Sequence, residues 1–580
     1  MSTREEVPEH SSAMAAIIPE DDIRGNDIEG TRDTGVDTPK FPFPGQSDPE
    51  KVGEQEPPAE PTRNSKKPLS FYMAFLSLLM MVLIVSLDAT ILPVALPKIS
   101  NEIGGTTLQS FWASLVFTLA VVVVQPIYTS VSNVMGRKMV LYAAFVLFAV
   151  GSIVFAVAPN MGILIFGRTI QGLGGGGLDV LSEVITADIT TLKERAFWIG
   201  MLSVPMAAGC IIGPILGAVF SSYANWRWIG WINLPLVAIA MALAVMFMRL
   251  KTFETSVLSR LAKIDWIGMA IFTTGCALVS VPLSWAGVMY PWASWKTLLP
   301  LIIGIFVLVS LAIYEKYPQE AVFPYRIFKS RTAALCLLGS FIHGMVLYTL
   351  LLYLPLFFQA VFLESGLQSA ISILPFCALV MCCTGAAAWL VDFVRHYRWV
   401  MWAGWVFLSV GTGLFALWNE HRGATTSRAL SATFQVISGI GIGTNFVVPC
   451  IPMQASASAA DQGLAGGIMV SFRLFGALIG LAIGSTTFNN VYAKAIGDIP
   501  IPQALQKFTD PNAAVALIQN LRDLDVSPDV LSAIREAYRV SMKDIFIVLA
   551  AFGALGFVSS LFVKELSMET DELGDQHYDY

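Results

Sequence analysis

Ile165-Phe-Gly-Arg168-Thr-Ile-Gln171-Gly172-Leu-Gly-Gly175-Gly-Gly-Leu-Asp179-Val-Leu-Ser-Glu183 belongs to a stretch of membrane-spanning length, yet it carries an arginine and two carboxylates. At about 100° per residue, Arg168, Gly172, Gly175, Asp179 and Glu183 fall within roughly an 80° arc of one helix face. Hydrocarbon cannot solvate charge, so ionisable groups in a membrane helix face a bundle interior or a wet cavity and mark an ion or substrate path. The glycines lie inside the span and read as helix-packing surface, not as a phosphate loop.

The rest of the chain supports a membrane reading. Of 580 residues, 55% are apolar and 13% charged, and the mean hydropathy is +0.65. A soluble chain could hardly cover so much apolar surface. Apolar runs of about 20 residues, the length that spans a bilayer, recur from position 71 to 563. Backbone groups in lipid need internal partners, so the chain is expected to be an all-α integral membrane protein. Fourteen transmembrane helices are expected, at 71–92, 109–130, 138–158, 162–187, 197–219, 229–249, 264–285, 297–314, 331–354, 367–391, 398–418, 428–451, 463–488 and 544–563.

The net charge of −6 is partly an effect of the tails. Residues 1–68 and 566–580 are acidic and polar, and 1–68 holds few large apolar residues. That tail cannot bury enough surface to offset ordering entropy and is expected to be disordered. Lys and Arg cluster in alternate loops, including Arg137-Lys138, Arg195, Arg249, Lys263, Arg326, Lys329 and Arg395. The positive-inside rule then puts both termini in the cytosol. The N-terminus has no signal-peptide core, so the first helix is expected to direct insertion. The seven cysteines sit in apolar spans and read as small buried residues, with no disulfide or metal framework. Residues 489–543 form a long outer loop. Apolar spacing at Val515, Leu517, Ile518, Leu521, Leu524, Val530, Leu531 and Ile534 suggests one or two amphipathic helices there, either a lid over the outer mouth or a plain solvated loop.

Several motifs occur in order along the chain. Leu87-Asp88-Ala-Thr90-Ile-Leu-Pro93-Val-Ala-Leu-Pro97 closes the first span. Asn133-Val-Met-Gly136-Arg137-Lys138 turns between the second and third. Arg168-x-x-Gln171-Gly172 sits in the fourth, and Gly209-x-x-x-Gly213-Pro214-x-x-Gly217 in the fifth. Trp226-Arg227-Trp228, Asn233-Leu-Pro235, Phe323-Pro-Tyr-Arg-Ile-Phe-Lys-Ser-Arg331 and Tyr353-Leu-Pro-Leu-Phe-Phe-Gln359 follow. Together they resemble the major facilitator superfamily, and within it the fourteen-span drug:proton antiporter group and the fungal toxin and secondary-metabolite efflux pumps. The resemblance runs from about 70 to 565. It implies the major facilitator fold, with a six-helix bundle at 69–250 and another at 331–565. Two linking transmembrane helices lie within 251–330. It also implies alternating access, in which one bundle rocks against the other around a central site.

Candidate site residues follow from position and resemblance. Asp88 and Arg168 are expected at similar depth, lining the cavity and touching directly or through water. With Asp179 they are the candidate proton-coupling residues; the alternative for Asp88 and Arg168 is a permanent pair that fixes packing. Glu183, nearer the cytosol, is expected to latch onto the Arg137-Lys138 turn, and Asp188 onto Arg195. Asn133 stands where the family usually carries aspartate, which removes a charge from that gate of Asn133, Gly136, Arg137, Lys138, Glu183, Asp188 and Arg195. The resemblance makes Gly209, Gly213, Pro214 and Gly217 the antiporter motif of exporters. Spacing alone makes them a close-packing face with a bend. His343, Gln359, Gln435 and Asn445 are polar residues in apolar spans and candidate cavity contacts. Arg473 reads as a structural interhelix pair.

The expected function is a proton-coupled exporter of amphipathic organic compounds such as toxins, secondary metabolites or drugs. The alternative is an importer of the same fold, for example of iron siderophores. No Ser/His/Asp set, metal cluster or Walker loop supports an enzyme or an ATP-driven pump. The expected partners are a small organic substrate and the bilayer, with no nucleic acid and no cofactor beyond the proton gradient. The expected state is a monomer in the plasma membrane, with the vacuolar membrane as alternative.

Overall fold

The computed structural model describes residues 67–104, 107–250, 262–286, 290–318, 321–418, 428–497, 514, 518–523 and 527–568. The expected tail disorder therefore lies outside the described residues, apart from the first and last few positions adjoining the helices.

Long helices account for nearly all of it. The first half holds α1 (Leu69–Ile103), α2 (Thr107–Met135), α3 (Arg137–Ala156), α4 (Met161–Ile189), α5 (Leu192–Tyr223) and α6 (Asn233–Phe247). Then come α7 (Trp266–Trp285) and α8 (Trp295–Tyr314), followed by α9 (Arg331–Val361), α10 (Leu374–Val394) and α11 (Arg398–Leu414). The last are α12 (Arg428–Val447), α13 (Gln462–Gly497) and α14 (Pro528–Ser560). Among the described residues, 13 helices are long and apolar enough to cross a membrane. Only α4 of the long helices falls short, because Arg168, Gln171 and its run of glycines dilute its hydropathy; it is instead mostly buried among its neighbours.

Local chemistry sets the boundaries. Asn160 caps α4 by accepting a 3.0 Å hydrogen bond from Ile163 N, and Asp265 caps α7 through Gly268 N at 2.8 Å. Between α2 and α3 the chain turns through Gly136 at φ 93°, a conformation that favours glycine. The corresponding turn between α10 and α11 uses Arg395 at φ 60°, and Asp392 braces it with a 3.1 Å ion pair.

Two boundaries differ from expectation. The first helix does not stop near position 92 but continues through Pro93 and Pro97 to Gly104, whose φ of 72° ends it. Each proline forfeits one backbone bond, a loss that a 35-residue helix packed on its neighbours absorbs. The last helix starts at Pro528, not 544. In its first turns Ile534 and Tyr538 are fully buried, the Tyr538 ring lies tilted against Tyr492 at 4.8 Å, and its hydroxyl donates to Ala514 O at 2.6 Å. Arg535 donates to Val361 O at 2.8 Å and so caps the C-terminus of α9. Of the described residues between α13 and α14, Ile518 and Leu521 are also buried. Val530 and Leu531 are half-buried in α14, and Val515, Leu517 and Leu524 lie outside the described residues.

Packing repeats in the two halves. α1 lies against α5 and α6, and α4 is wedged between α2 and α3; likewise α9 lies against α13 and α14, and α12 between α10 and α11. One large apolar cluster draws chiefly on Phe71 to Leu250, another chiefly on Ile327 to Met568. α7 and α8 pair with each other, and α7 also touches α2 and α13. Between the halves, α5 meets α10, and α2 and α4 meet α13. Ile302, Phe306 and Val309 on α8 and Trp389 and Phe393 on α10 are exposed, as lipid-facing side chains are. Cys382 on α10 is exposed as well, which corrects the reading of every cysteine as buried.

Candidate functional site

Three polar layers lie along α4. In the first, Asp88 and Arg168 form an ion pair, both essentially fully buried. Arg168 also donates to Gln171 Oε1 at 3.2 Å and to Asp88 O at 3.3 Å. Asn233 of α6 donates to the other Asp88 oxygen at 2.8 Å, and Gln171 donates to Ser152 of α3 at 2.9 Å. The guanidinium lies 4.4 Å from the centre of the Phe117 ring on α2. Five polar side chains from α1, α3, α4 and α6 thus satisfy one another in a site that water does not reach. Sequence reasoning paired Asp88 with Arg168 but placed them on the cavity wall. The structure packs them inside the first half, away from both central cavities, because Gln171, Ser152 and Asn233 enclose them. Ser152 had no distinguishing sequence signal; Gln171 and Asn233 were visible only as motif members.

Glycines make this layer possible. A Cβ on Gly172 would sit 2.6 Å from Phe117 O, and one on Gly176 2.5 Å from Val124. α4 therefore approaches α2 backbone to backbone. Gly209, Gly213 and Gly217 act the same way where α5 crosses α1: a Cβ on Gly209 would meet Ser86 Cβ at 2.6 Å, and Gly213 and Gly217 face Thr90 and Ile91. Thr90 hydroxyl donates to Gly209 O at 3.1 Å across this crossing. Pro214, one residue past Gly213, is half-buried. The second half repeats the device where Gly344, Gly476 and Gly480 join α9 to α13, a pattern the sequence reading missed.

The second layer lies between the halves. Asp179 accepts a 2.7 Å hydrogen bond from Gln125 of α2. Glu183, a turn further on, faces Arg473 of α13 at 3.6 Å. Arg473 also donates to Phe446 O at 3.0 Å and stacks 4.0 Å over the Phe446 ring. These three charges line a cavity of about 30 Å³ with Val82, Tyr348 and Leu474. Next to it, Ser203, Leu347, Leu351, Phe376, Cys377 and Val380 line an apolar cavity of about 40 Å³. Met206 and Phe446 belong to both walls. Neither cavity approaches the several hundred Å³ of a ligand pocket, so this conformation is closed at its centre.

His343, Gln359, Gln435 and Asn445 line neither cavity. His343 Nε2 donates to Ile442 O at 2.9 Å, and Gln359 to Ser369 at 3.1 Å. Gln435 donates to Ser372 O at 3.0 Å, and Asn445 to Gly441 O at 3.2 Å. Each satisfies a polar group within its own half in this closed conformation.

The third layer closes one end. Arg137 donates to Asp188 at 2.7 Å and to Ser132 at 2.6 Å. Arg195 donates to Ala187 O and Thr190 O at 2.6 Å each, and reaches Gln462 of α13 at 2.6 Å and Gln454 at 3.4 Å. The expected partners are therefore exchanged: Asp188, not Glu183, meets Arg137, and Arg195 binds amides and carbonyls of both halves instead of Asp188. The reason is register. Glu183 lies more than a turn short of the α4 terminus and faces Arg473, whereas Asp188 is in the last turn beside α3. Gly463 packs so closely on Asp188 that a Cβ would lie 2.7 Å from its carboxylate. Asn133 and Lys138 flank the Gly136 turn, half-buried.

A chain of apolar membrane-length helices, with ionisable side chains held at a closed cavity between two similarly packed halves, is a multi-pass membrane transporter and not an enzyme. Its family is clear. The model of the Major Facilitator Superfamily matches residues 78–481, and the chain belongs to that superfamily. It is 40% identical over 573 residues to "MFS-type transporter sphD" of Aspergillus fumigatus, covering 98% of this chain and 97% of that one. It is 33% identical over 511 residues to "MFS-type efflux pump MMF1" of Pseudozyma antarctica, covering 87% and 92%. The fold resembles that of the proton:xylose symporter XylE at a TM-score of 0.54 and 12% identity, across 86% of this chain and 98% of that one.

Proposed function

We propose that this transporter is a proton-coupled exporter of amphipathic organic compounds, working by alternating access. All fourteen helices α1–α14 span the membrane, α4 included. They form six-helix halves at 69–250 and 331–565 joined by α7 and α8, with both termini in the cytosol. The protein works as a monomer in the plasma membrane and needs no cofactor beyond the proton gradient.

One observation carries the reading: Asp179 and Glu183 border a cavity between the halves, with Arg473 of the opposite half facing Glu183. Carboxylates in a bilayer are costly to keep and titrate readily when their surroundings change. Asp179 carries the proton. Rocking of α13 away from α4 separates Arg473 from Glu183 and changes what Asp179 faces. The Asp88–Arg168 layer positions α4 for this step. Several relatives named as efflux pumps, MMF1 among them, support export over uptake. With the termini inside, the Arg137–Asp188 and Arg195–Gln462 layer is the cytosolic gate, together with Asn133, Gly136 and Lys138.

In inside-out vesicles with an acid interior, wild-type protein is expected to concentrate a fluorescent amphipathic dye. Asp179→Asn is expected to retain only gradient-independent equilibration. Gradient-driven accumulation by Asp179→Asn at the wild-type level contradicts the assignment of the proton.

A further inference from the structure

Gln125, Thr129 and Ser132 form a polar stripe on α2. At about 100° per residue they fall within about 60° of one another on one helix face, and all three are fully buried. The stripe is continuous. Gln125 Nε2 donates to Asp179 at 2.7 Å, Thr129 Oγ1 to Gln125 O at 3.0 Å, and Ser132 Oγ to Thr129 O at 3.0 Å. Arg137 closes it by donating to Ser132 Oγ at 2.6 Å and to Asp188 at 2.7 Å. Polar groups thus run from the carboxylate at the central cavity to the ion pair at the closed end.

A hydroxyl in an apolar helix can satisfy itself on a carbonyl of its own preceding turn, as Thr129 and Ser132 do. That accounts for each hydroxyl singly, not for their alignment, and it does not account for Gln125. Gln125 Oε1 is buried and accepts nothing, although Nε2 of the same amide binds a carboxylate. An orphaned acceptor beside Asp179 suits a donor that comes and goes, either the O–H of the protonated acid or a water next to it. On the cavity side, Glu183, Arg473 and Tyr348 share the lining with Asp179, and Arg473 acts electrostatically on both carboxylates. The stripe itself carries no charge before Arg137.

α13 covers the stripe with almost no side chain. A Cβ on Gly467 would lie 2.6 Å from Thr129, and one on Gly463 would lie 2.7 Å from Asp188 and 3.2 Å from Arg137. If α13 withdraws, the surface uncovered on α2 is a row of amide and hydroxyl groups, which water solvates readily. The apolar lobe lies elsewhere, walled by Ser203 of α5, Leu347 and Leu351 of α9, Phe376 and Val380 of α10 and Phe446 of α12.

We propose that the α2 stripe is the proton route between Asp179 and the cytosolic side, separate from the apolar lobe that the organic substrate occupies. This rests on Asp179 carrying the proton, as read above. With the gate open, water enters along the stripe. Asp179 gives its proton to a water held at Gln125 Oε1: the O–H bond of the acid breaks and one forms on that water. The excess proton then moves along waters bonded to Thr129 and Ser132 into the cytosol. Asp179 is left as the carboxylate that Gln125 Nε2 binds.

The test uses full-length protein in liposomes with radiolabelled ethidium as the probe. It compares two modes: accumulation driven by an imposed pH gradient, which needs a proton to cross in every cycle, and exchange of labelled for unlabelled ethidium at equal pH, which needs none. Thr129→Val/Ser132→Ala keeps the shape of the stripe and removes both hydroxyls. It is expected to slow gradient-driven accumulation about tenfold while exchange stays near the wild-type rate, which also reports that the variant is folded. Thr129→Ser keeps both hydroxyls but loses the methyl packed toward Gly467, and is expected to keep the gradient-driven rate. Equal slowing of both modes in the double variant, or a Thr129→Ser protein as slow as the double variant, marks a packing role and overturns the proposal. Undiminished gradient-driven accumulation in the double variant, with its loss in Asp179→Asn, refutes this inference and leaves the exporter reading standing. Wild-type protein that exchanges ethidium but ignores the gradient refutes the exporter reading itself.

Discussion

Asp88 shows how much one side chain's surroundings decide its role. Its carboxylate is enclosed by an arginine and two amides, away from solvent. Removing Arg168 alone leaves that charge buried, which costs about 3–5 kcal/mol. Arg168→Ala is therefore expected to lower the Tm of the purified protein steeply and Asp88→Asn to lower it less. The double variant is expected to be more stable than the sum of the two losses implies. Strict additivity in this double-mutant cycle contradicts the buried network. The arginine and the carboxylates of α4 were legible in the sequence because charge in an apolar span is conspicuous. Their partners were not. Glu183 meeting Arg473, nearly 300 positions away, depends on how two halves dock, and no spacing rule encodes that. The local partners of the second half's polar residues were hidden for a related reason: in an apolar span a glutamine or histidine satisfies a nearby carbonyl as readily as it faces a cavity.

At the scale of elements, glycine positions set the helix crossings. The α1–α5 and α9–α13 contacts are built alike, so side chains added there are expected to act alike. Gly213→Leu drives bulk into Thr90 and Leu87 and is expected to destabilise by at least about 1–3 kcal/mol, the usual cost of overpacking. Gly385→Ala on α10, where an added Cβ meets nothing within 4 Å, is the control and is expected to be neutral. Thermal melts in detergent check both, and an unperturbed Gly213→Leu contradicts the close crossing. The order of the helices was legible from apolar run length, with 13 of them apolar enough to cross a membrane among the described residues. The reach of α1 past two prolines and the early start of α14 were not, because packing overrides local breakers.

The loop after α8 supplies a pH-dependent element. Glu315 is buried where that helix ends and accepts from Phe323 N at 3.2 Å. Burial, with a smaller contribution from Asp265, pushes its carboxyl from 4.5 up to about 7. The folded chain then holds a proton that the unfolded chain releases, so this group's contribution to stability falls as pH rises from about 4.5 through about 7. Glu315→Gln is expected to raise Tm relative to wild type above that window and to change it little below it. Parallel pH profiles for the two proteins contradict the assignment.

For the whole molecule, the central question is whether the two halves move. Thr129 on α2 and Gly467 on α13 touch across the closed end: a Cβ on Gly467 would lie 2.6 Å from the Thr129 side chain. Paired cysteines there sit close enough to form a disulfide. Thr129→Cys/Gly467→Cys is expected to lose transport on oxidation and regain it on reduction. Undiminished flux in protein verified as cross-linked contradicts rocking at this end. α13 touches both α2 and α4, so on the proposed reading opening at this end is expected to move Arg473 relative to Asp179 and Glu183 as well.

Coupled exchange is the claim on which the rest depends, and proton movement measured directly tests it. Purified protein is reconstituted into liposomes that hold a trapped pH dye and an amphipathic substrate, with no gradient imposed at the start. Outward substrate flow is expected to draw protons inward and acidify the lumen, and Asp179→Asn is expected to abolish that acidification. Substrate leaving with no change in lumenal pH, or with alkalinisation of the lumen, contradicts antiport.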